Sequence, residues 1–367
     1  MDILIDYRPA LRQRTGVGEY VHGLAAALAG RLDPGDAITL FSSSWKDRLP
    51  VGAVPGTGQI DARIPVQLLN FAWHRLEWPP VEWVAPPVDV VHSPHPLLIP
   101  SRVAAQVVTI HDLYFLDRPE QTTAEIRRDY PALAAKHACR ADAVVVNSKH
   151  TGREVSERFG IGSDRITVCY PGRPDWSARL EPASDGPILF VGTAEPRKNL
   201  ARLLEAYALL VARRTSAPAL VIAGSVSIAG ENLLATVHER LKPRVTLTGY
   251  VTDEERQRLY REASMLVLPS LAEGFGITAL EAMTVGVPVV ASNRGALPEV
   301  VGDAGLLVDP ESVSDLSNAL ERVLSDPGLR RSMSERGIQR ARQFSWTESA
   351  DRLYDAYRTA YRRRSAK

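Results

Sequence analysis

Short β-rich runs separated by helical stretches recur along this chain, stop at a break, and then start again. Ile3–Asp6, Ala37–Phe41, Val88–His92, Ala105–Ile110, Ala143–Asn147 and Ile166–Tyr170 read as strands of a first half. Behind the first of them, Val17–Leu32 carries Val21, Leu24, Ala25 and Leu28 at helical spacing. Strands that alternate with helices imply βαβ units, because parallel neighbours need a long crossover. The first series ends at Pro171-Gly172-Arg173-Pro174, a strong breaker, and 174–187 is rich in Pro, Ser, Asp and Gly like a linker. The pattern then restarts with strands Ile188–Val191, Ala219–Ala223, Val245–Thr248, Met265–Pro269, Val287–Ala291 and Gly305–Val308. Leu200–Arg213 is an amphipathic helix, and Thr252 with Glu255 forms a capping box that opens a helix over Glu254–Glu262. Asp309-Pro310 is placed to begin another helix with Pro at its first position. Ser345 and Glu348 repeat the capping pattern before a helix that runs through Tyr361.

The reading is therefore α/β, with two Rossmann-like halves. The first spans 1–173, a linker spans 174–187, and the second spans 188–344. The terminal helix, 345–367, reaches back over the first half. A length of 367 residues suits two domains. Two facing parallel sheets imply a cleft with the chemistry at the carboxyl ends of strands.

Charge removes some classes of partner. Lys and Arg number 44 against 43 Asp and Glu, a net charge of +1, and neither half carries the basic excess that nucleic-acid binding needs. Cys139 and Cys169 lack disulfide-scaffold or zinc spacing and read as two reduced core thiols of a cytoplasmic protein. Asp2 and Asp6 stand where a secretory leader needs positive charge. No run approaches a transmembrane helix, since the longest uncharged stretch, Ala217–Gly230, is broken by Pro218 and Gly224.

Four places carry chemistry. Leu271-Ala272-Glu273-Gly274-Phe275-Gly276-Ile277-Thr278-Ala279-Leu280-Glu281 joins a strand end to a helix through two glycines. Such glycines admit an anion close to the backbone, and the helix start adds unpaired N–H groups and a positive dipole end. Glu273 and Glu281 flank this phosphate-suited loop as hydroxyl acceptors. Taken alone, a pair of glycines more often serves a tight turn, with Glu281 a solvated or capping acid. Glu195-Pro196-Arg197-Lys198-Asn199 follows the strand Ile188–Val191 and sets two cations at its carboxyl end, suited to a diphosphate. His111-Asp112 ends a first-half strand, where a histidine can bond a substrate hydroxyl or settle as a core side chain, and His92 and His95 are further candidates to line the cleft. Gly16-Val17-Gly18 suits a loop approaching a ligand but is no dinucleotide fingerprint, since Val21 stands where the third glycine would.

These motifs together resemble glycosyltransferase family 4, retaining enzymes of the GT-B fold. The resemblance runs from Phe190-Val191-Gly192 through Glu195–Asn199, Pro269-Ser270 and Gly286–Ala291 to Pro298-Glu299-Val300, with Glu273 and Glu281 forming the Glu-x7-Glu hallmark. The first half carries it more weakly, in Gly16-Val17-Gly18, His111-Asp112 and Val146-Asn147-Ser148. The resemblance implies that Glu281 binds the donor ribose and Glu273 lies by the transferred sugar. It gives Gly274, Phe275, Gly276 and Ile277 sugar and phosphate through their amides, and Arg197 and Lys198 the leaving diphosphate. It sets His111 near the sugar hydroxymethyl, Gly16 and Gly18 at the donor–acceptor junction, and Tyr250 and Val251 at the nucleobase. Where many members have Gly-Arg, this chain has Gly192-Thr193, so the diphosphate rests more on Arg197 and Lys198.

The "EPRKN" and "GVGEY" forms look most like enzymes that move mannose from GDP-mannose. The expectation is a hexosyltransferase of polysaccharide or glycoconjugate synthesis acting on a glycan or lipid-linked acceptor. Front-face retention, with the donor phosphate helping to deprotonate the acceptor, follows from the family. No Asp-x-Asp occurs, so neither a catalytic metal nor any cofactor beyond the nucleotide sugar is expected. Rival readings are a non-catalytic sugar-nucleotide binder and an NAD-dependent oxidoreductase, the second opposed by the glycine spacing. Two features suit a peripheral contact at the inner face of a membrane. One is the basic tail of Arg358, Arg362, Arg363, Arg364 and Lys367, and the other is the apolar stretch of Leu68, Leu69, Phe71, Trp73, Trp78 and Trp83. A solvated tail and ordinary core or acceptor-groove packing are the preferred explanations of both.

Overall fold

The structure, a computed structural model, describes residues 1–11, 16–225 and 241–366. Lys367 and the end of the uncharged stretch, 226–230, lie outside the described residues. The chain divides into two compact units, Met1–Gly172 with Ser345–Lys367, and Arg173–Phe344.

The first unit is built on a seven-stranded sheet of order β3-β2-β1-β4-β5-β6-β7, all of its pairs parallel. Its strands are β1 Asp2–Asp6, β2 Ala37–Ser42, β3 Gly58–Asp61, β4 Val90–Ser93, β5 Ala105–Ile110, β6 Ala143–Val146 and β7 Ile166–Val168. Every residue of β4, β5 and β6 is buried, as continuous apolar runs in a doubly covered parallel sheet require. Edge strand β3, Gly-Gln-Ile-Asp, lacks that apolar signal and is absent from the sequence reading.

The helix Gly16–Ala29 buries Tyr20, Val21, Leu24, Ala25 and Leu28 on one face. Against the same core lies the terminal helix Trp346–Ser365, through Ala350, Leu353, Tyr354, Tyr357 and Ala360. Each such large side chain contributes about 1.5–3 kcal/mol on burial. Gly23 permits the approach, since a Cβ there would meet the Trp346 ring at 2.5 Å. Arg31 with Asp351 and Arg363 with Asp164 tie the outer face of the terminal helix, and Arg358 pairs with Asp33. The basic tail is thus largely committed within its own unit. Cys169 is buried, but Cys139 is exposed on the helix Ala124–Arg140, which corrects the reading of two core thiols.

The second unit carries a parallel six-stranded sheet of order β10-β9-β8-β11-β12-β13. Its strands are β8 Ile188–Val191, β9 Leu220–Ala223, β10 Val245–Gly249, β11 Met265–Leu268, β12 Val289–Ser292 and β13 Leu306–Val308. Strand order reverses between β8 and β11, which makes their carboxyl ends a topological switch point. The segment expected as a linker is held to this unit. Arg179 donates to the carbonyls of Ala263 at 2.7 Å and Gly286 at 3.2 Å, and burial lowers its pKa to about 10. The helix expected at Asp309-Pro310 starts instead at Val313, with Ser312 as its N-cap. The Pro310 carbonyl accepts from the Asn199 side chain at 2.7 Å, so the turn is anchored elsewhere.

Candidate active site

The switch point gathers Arg197, Lys198, Glu273 and the glycine loop that leads into the helix of Glu281. After β8 the chain makes a short 3-10 turn, Pro196–Lys198, which delivers Arg197 and Lys198. After the neighbouring β11 comes Ser270–Gly276 and then the helix Ile277–Val285. The two loops are stitched together. Leu271 N–H donates to the Arg197 carbonyl at 2.8 Å, and Asn199 Nδ2 donates to the Pro269 carbonyl at 3.0 Å.

Glu273 is the centre of this cluster and only 8% exposed. Lys198 Nζ lies 2.5 Å from its Oε1, Arg197 Nη1 lies 3.3 Å from its Oε2, and Ser270 Oγ donates to Oε1 at 2.8 Å. Burial pushes this carboxyl up, but Lys198 and then Arg197 outweigh burial and hold it below the usual carboxylate range. Arg197 also bridges to Glu195 at 2.7 Å. The cations are therefore already positioned and already paired. The chain fixes Glu273 from behind as well: the Ala296 N–H donates to its carbonyl at 2.9 Å. Gly295, at φ +61°, has no room for a Cβ, which would stand 2.7 Å from the same carbonyl.

Gly276 ends the loop at φ +100° and begins the helix with no side-chain cap. A Cβ there would meet Leu297 at 2.6 Å, so glycine is required on both counts. The first-turn amides at Gly276, Ile277 and Thr278 make the polar helix start that suits an anion. Phe275 is buried against Phe344.

Glu281 sits on the same helix and is 5% exposed, but its surroundings differ. Tyr260 Oη donates to its Oε2 at 2.9 Å, and Arg256 Nη2 lies 3.3 Å from Oε1. Arg256 and Tyr260 both lie against the Trp176 ring. The hydroxyl of Tyr260 is held far above its ordinary pKa by burial and then by Glu281, so it stays a donor. Tyr250 and Val251 follow β10, with Tyr250 46% exposed. Thr193 is exposed after β8, at the position where an arginine was missing.

In the first unit, Gly16 and Gly18 form the first turn of the helix Gly16–Ala29 rather than a free loop, with Gly18 buried. His111 follows β5, and its ring meets Tyr20 of that helix edge to face at 5.2 Å. His111 Nε2 lies 3.1 Å from the Pro94 carbonyl, which can only accept, so Nε2 carries the proton and Nδ1 is the acceptor. Burial lowers the pKa of His111 and keeps it neutral. His92 is a core side chain between Tyr357 at 2.6 Å and Thr109 at 2.8 Å. His95 lies 3.7 Å from the buried Asp6 and stacks on Tyr130.

The residues that sequence reasoning missed are Asn199, Ser270, Arg256, Tyr260, Trp176 and Gly295. Asn199 and Ser270 stand inside the quoted motifs and could have been found there. The others come from distant helices and loops and give no local signal.

Comparison with known proteins follows this division. Residues 173–340 match the family model described as glycosyl transferases group 1, and residues 14–175 match glycosyltransferase family 4. The chain is 30% identical over 380 residues to O-antigen chain mannosyltransferase B of Escherichia coli, covering 98% of this chain and 100% of that one. Among solved structures it resembles sucrose-phosphate synthase from Thermosynechococcus elongatus, with TM-score 0.78 and 22% identity over 98% of this chain and 99% of the other. It also resembles HepE of Anabaena, solved with UDP and glucose, at TM-score 0.69 and 17% identity over 97% and 98% of the two chains. Two Rossmann-like halves with parallel sheets are the GT-B fold.

Proposed function

The chain belongs to glycosyltransferase family 4, the group 1 glycosyl transferases, and from that premise we propose that it moves mannose from GDP-mannose to a glycan or lipid-linked acceptor with retention. The observation that carries the reading is Glu273, clamped by Lys198, Arg197 and Ser270 at a sheet switch point beside an uncapped helix start. Mannose is supported by the full-length match to a mannosyltransferase of O-antigen chains. Synthesis of a polysaccharide or glycoconjugate follows from the same relative.

In the proposed reaction the bond from sugar C1 to the diphosphate oxygen breaks, and a bond from C1 to the acceptor oxygen forms on the same face. The acceptor proton passes to the departing phosphate. Arg197 and Lys198 neutralise that leaving group, and the amides of Gly274, Phe275, Gly276 and Ile277 hold sugar and phosphate. Glu281 accepts from the ribose hydroxyls, with Tyr260 and Arg256 fixing its orientation. Tyr250 and Val251 meet the base. Neutral His111 offers Nδ1 to the sugar hydroxymethyl, and Gly16 and Gly18 start the helix next to it. This chemistry needs charge stabilisation more than a protein nucleophile, and the transfer step is proposed to proceed without a metal.

The lipid-linked form of the acceptor has a matching surface in the first unit. Leu68, Phe71, Leu76, Trp78 and Trp83 are between 48% and 61% exposed, and Arg102 stacks on Trp83. Leu69 and Trp73 of the same stretch are buried and serve the core. We place the enzyme at the inner face of a membrane by this aromatic patch rather than by the tail.

The test is transfer by the purified chain, with GDP-, UDP- and ADP-sugars first ranked by thermal shift. GDP-mannose should stabilise the fold most and support turnover, and Glu281→Ala should abolish turnover without unfolding the chain. Stabilisation by a different nucleotide sugar overturns the donor. Full activity of Glu281→Ala overturns the site, and an inverted anomeric centre in the product NMR spectrum overturns retention. Donor binding with neither transfer nor hydrolysis marks a binding protein.

A further inference from the structure

The first unit holds a second polar cluster that the transfer reaction does not use. The helix Val66–Phe71 continues into the wide π-helical turn Ala72–Leu76, in which His74 is only 3% exposed. Neither ring nitrogen of His74 has a hydrogen-bond partner among the described residues. A buried imidazole with both nitrogens unsatisfied carries a desolvation cost that calls for a partner. Opposite it, the helix Ala124–Arg140 presents Glu125 and Asp129, four residues apart and so on one helical face. One ligand atom from each of His74, Glu125 and Asp129 lies within 4.8 Å of the other two.

We propose that His74, Glu125 and Asp129 bind a divalent cation of zinc-like chemistry that joins the 66–76 segment to the helix Ala124–Arg140. One imidazole and two carboxylates form the mixed nitrogen and oxygen set that zinc accepts, whereas calcium and magnesium favour all-oxygen sites. Three protein ligands leave a fourth position for water. The imidazole is in the right state, because burial and then the neighbouring His95 and Arg8 keep it neutral and its lone pair available.

The surrounding charges set the affinity. Asn70 Nδ2 donates to Glu125 Oε1 at 2.7 Å, and Arg8 Nη1 donates to Asn70 at 2.8 Å. Asp129 accepts from Arg75 at 2.8 Å and from Arg128 at 2.6 Å. The Arg128 side chain is 56% exposed, so water can take it over when a cation arrives. Arg128 and Arg75 thus both hold the Asp129 carboxylate against a metal ion, and Arg128 is the more exposed of the two. Its removal should strengthen binding.

The experiment is titration of the metal-free full-length chain with Zn²⁺ by calorimetry, with Co²⁺ as a visible-absorption probe of the ligand set. A half-buried pair, His150 and Glu154, offers a competing site, so every protein carries His150→Ala. One Zn²⁺ per chain is expected, with Tm raised by zinc and restored by chelator. His74→Ala and Glu125→Gln should each weaken binding more than about tenfold, and Arg128→Ala should tighten it several-fold. Glu125 is only half-buried, so its variant keeps the test sound if His74→Ala does not fold. The absence of stoichiometric binding, or binding unchanged in Glu125→Gln, overturns the proposal. These readouts are independent of transfer activity, so loss of the enzymatic reading leaves the cation site standing and the reverse.

Discussion

Replacing Lys198 by Ala separates what the Glu273 clamp does for the fold from what it does for the reaction. Removing one partner of a buried pair costs about 3–5 kcal/mol when the survivor is left alone. Glu273 would keep Arg197 at 3.3 Å and Ser270 at 2.8 Å, so a smaller loss of about 2 kcal/mol, below that range, is expected. For a unit of about 170 residues this lowers Tm by about 4–8 °C. The pH dependence has a definite sign. Glu273 is held below its ordinary pKa, so its contribution is present above that ordinary value and is lost as pH falls through the depressed one. Without Lys198 the upward push of burial gains ground, the carboxyl protonates at higher pH, and the loss begins nearer neutrality. Adding Glu273→Gln removes the stranded charge and should recover most of the Tm. Turnover should fall about 10²–10³-fold in Lys198→Ala and stay low in the double variant, as expected for a lost electrostatic stabiliser of the leaving group. Scanning fluorimetry from pH 5 to 8 and steady-state transfer with GDP-mannose give both numbers. Wild-type turnover in Lys198→Ala would refute the role in the reaction, and an unchanged Tm would refute the buried pair.

Two other expectations concern the first unit. His92 is pushed down to about 3 and His137 to about 4, in both cases mainly by burial, so the unfolded chain binds protons more readily below pH 6.5. Stability should therefore fall as pH drops below 6.5, by about 2 kcal/mol per histidine at pH 5, and urea midpoints that stay flat between pH 7 and 5 would contradict this. On sedimentation with vesicles rich in anionic lipid, Trp78→Ser with Trp83→Ser should cut binding at least about tenfold. Arg363→Ala, whose guanidinium is tied to Asp164, should change binding little, and the opposite ranking would return the contact to the tail.

The parallel sheets were legible because their central strands are buried on both faces and so read as unbroken apolar runs, as in Ala105–Ile110. β3 was not, because an edge strand with one Ile and no alternation offers no such run. The helix Ala124–Arg140 holds Pro131 in its interior, which reads as a stop in sequence but is tolerated in the fold. Asp309-Pro310 misled for the opposite reason: the local signal for a helix start is present, but the turn is claimed by Asn199, which follows the turn after β8. The clamp itself was readable as residue types at strand ends. Its internal pairing was not, because Glu273 meets Lys198 only through the β8–β11 neighbourhood, which spacing along the chain does not encode. Glu281 likewise needs Tyr260 and Arg256 from the helix Asp253–Glu262.

The pairing changes how a diphosphate would be recognised. Arg197 and Lys198 face Glu195 and Glu273, so the side chains of this cluster sum to no net charge before any ligand arrives. A phosphate approaching it would feel little long-range pull, and the chain's overall charge of +1 adds none. What remains is short-range and fixed: the amides at the uncapped helix start, and two cations whose N–H groups are held in place by the carboxylates they would partly leave. In the proposed reaction Glu273 would act as a holder that keeps Lys198 in place, reducing the reorganisation needed when charge develops on the leaving group. The same argument explains why Glu281, a turn further along the helix, is clamped by a tyrosine and an arginine instead. In the proposed reaction a carboxylate that accepts from neutral hydroxyls has to be held in one orientation. Tyr260 holds one carboxylate oxygen of Glu281 and Arg256 the other.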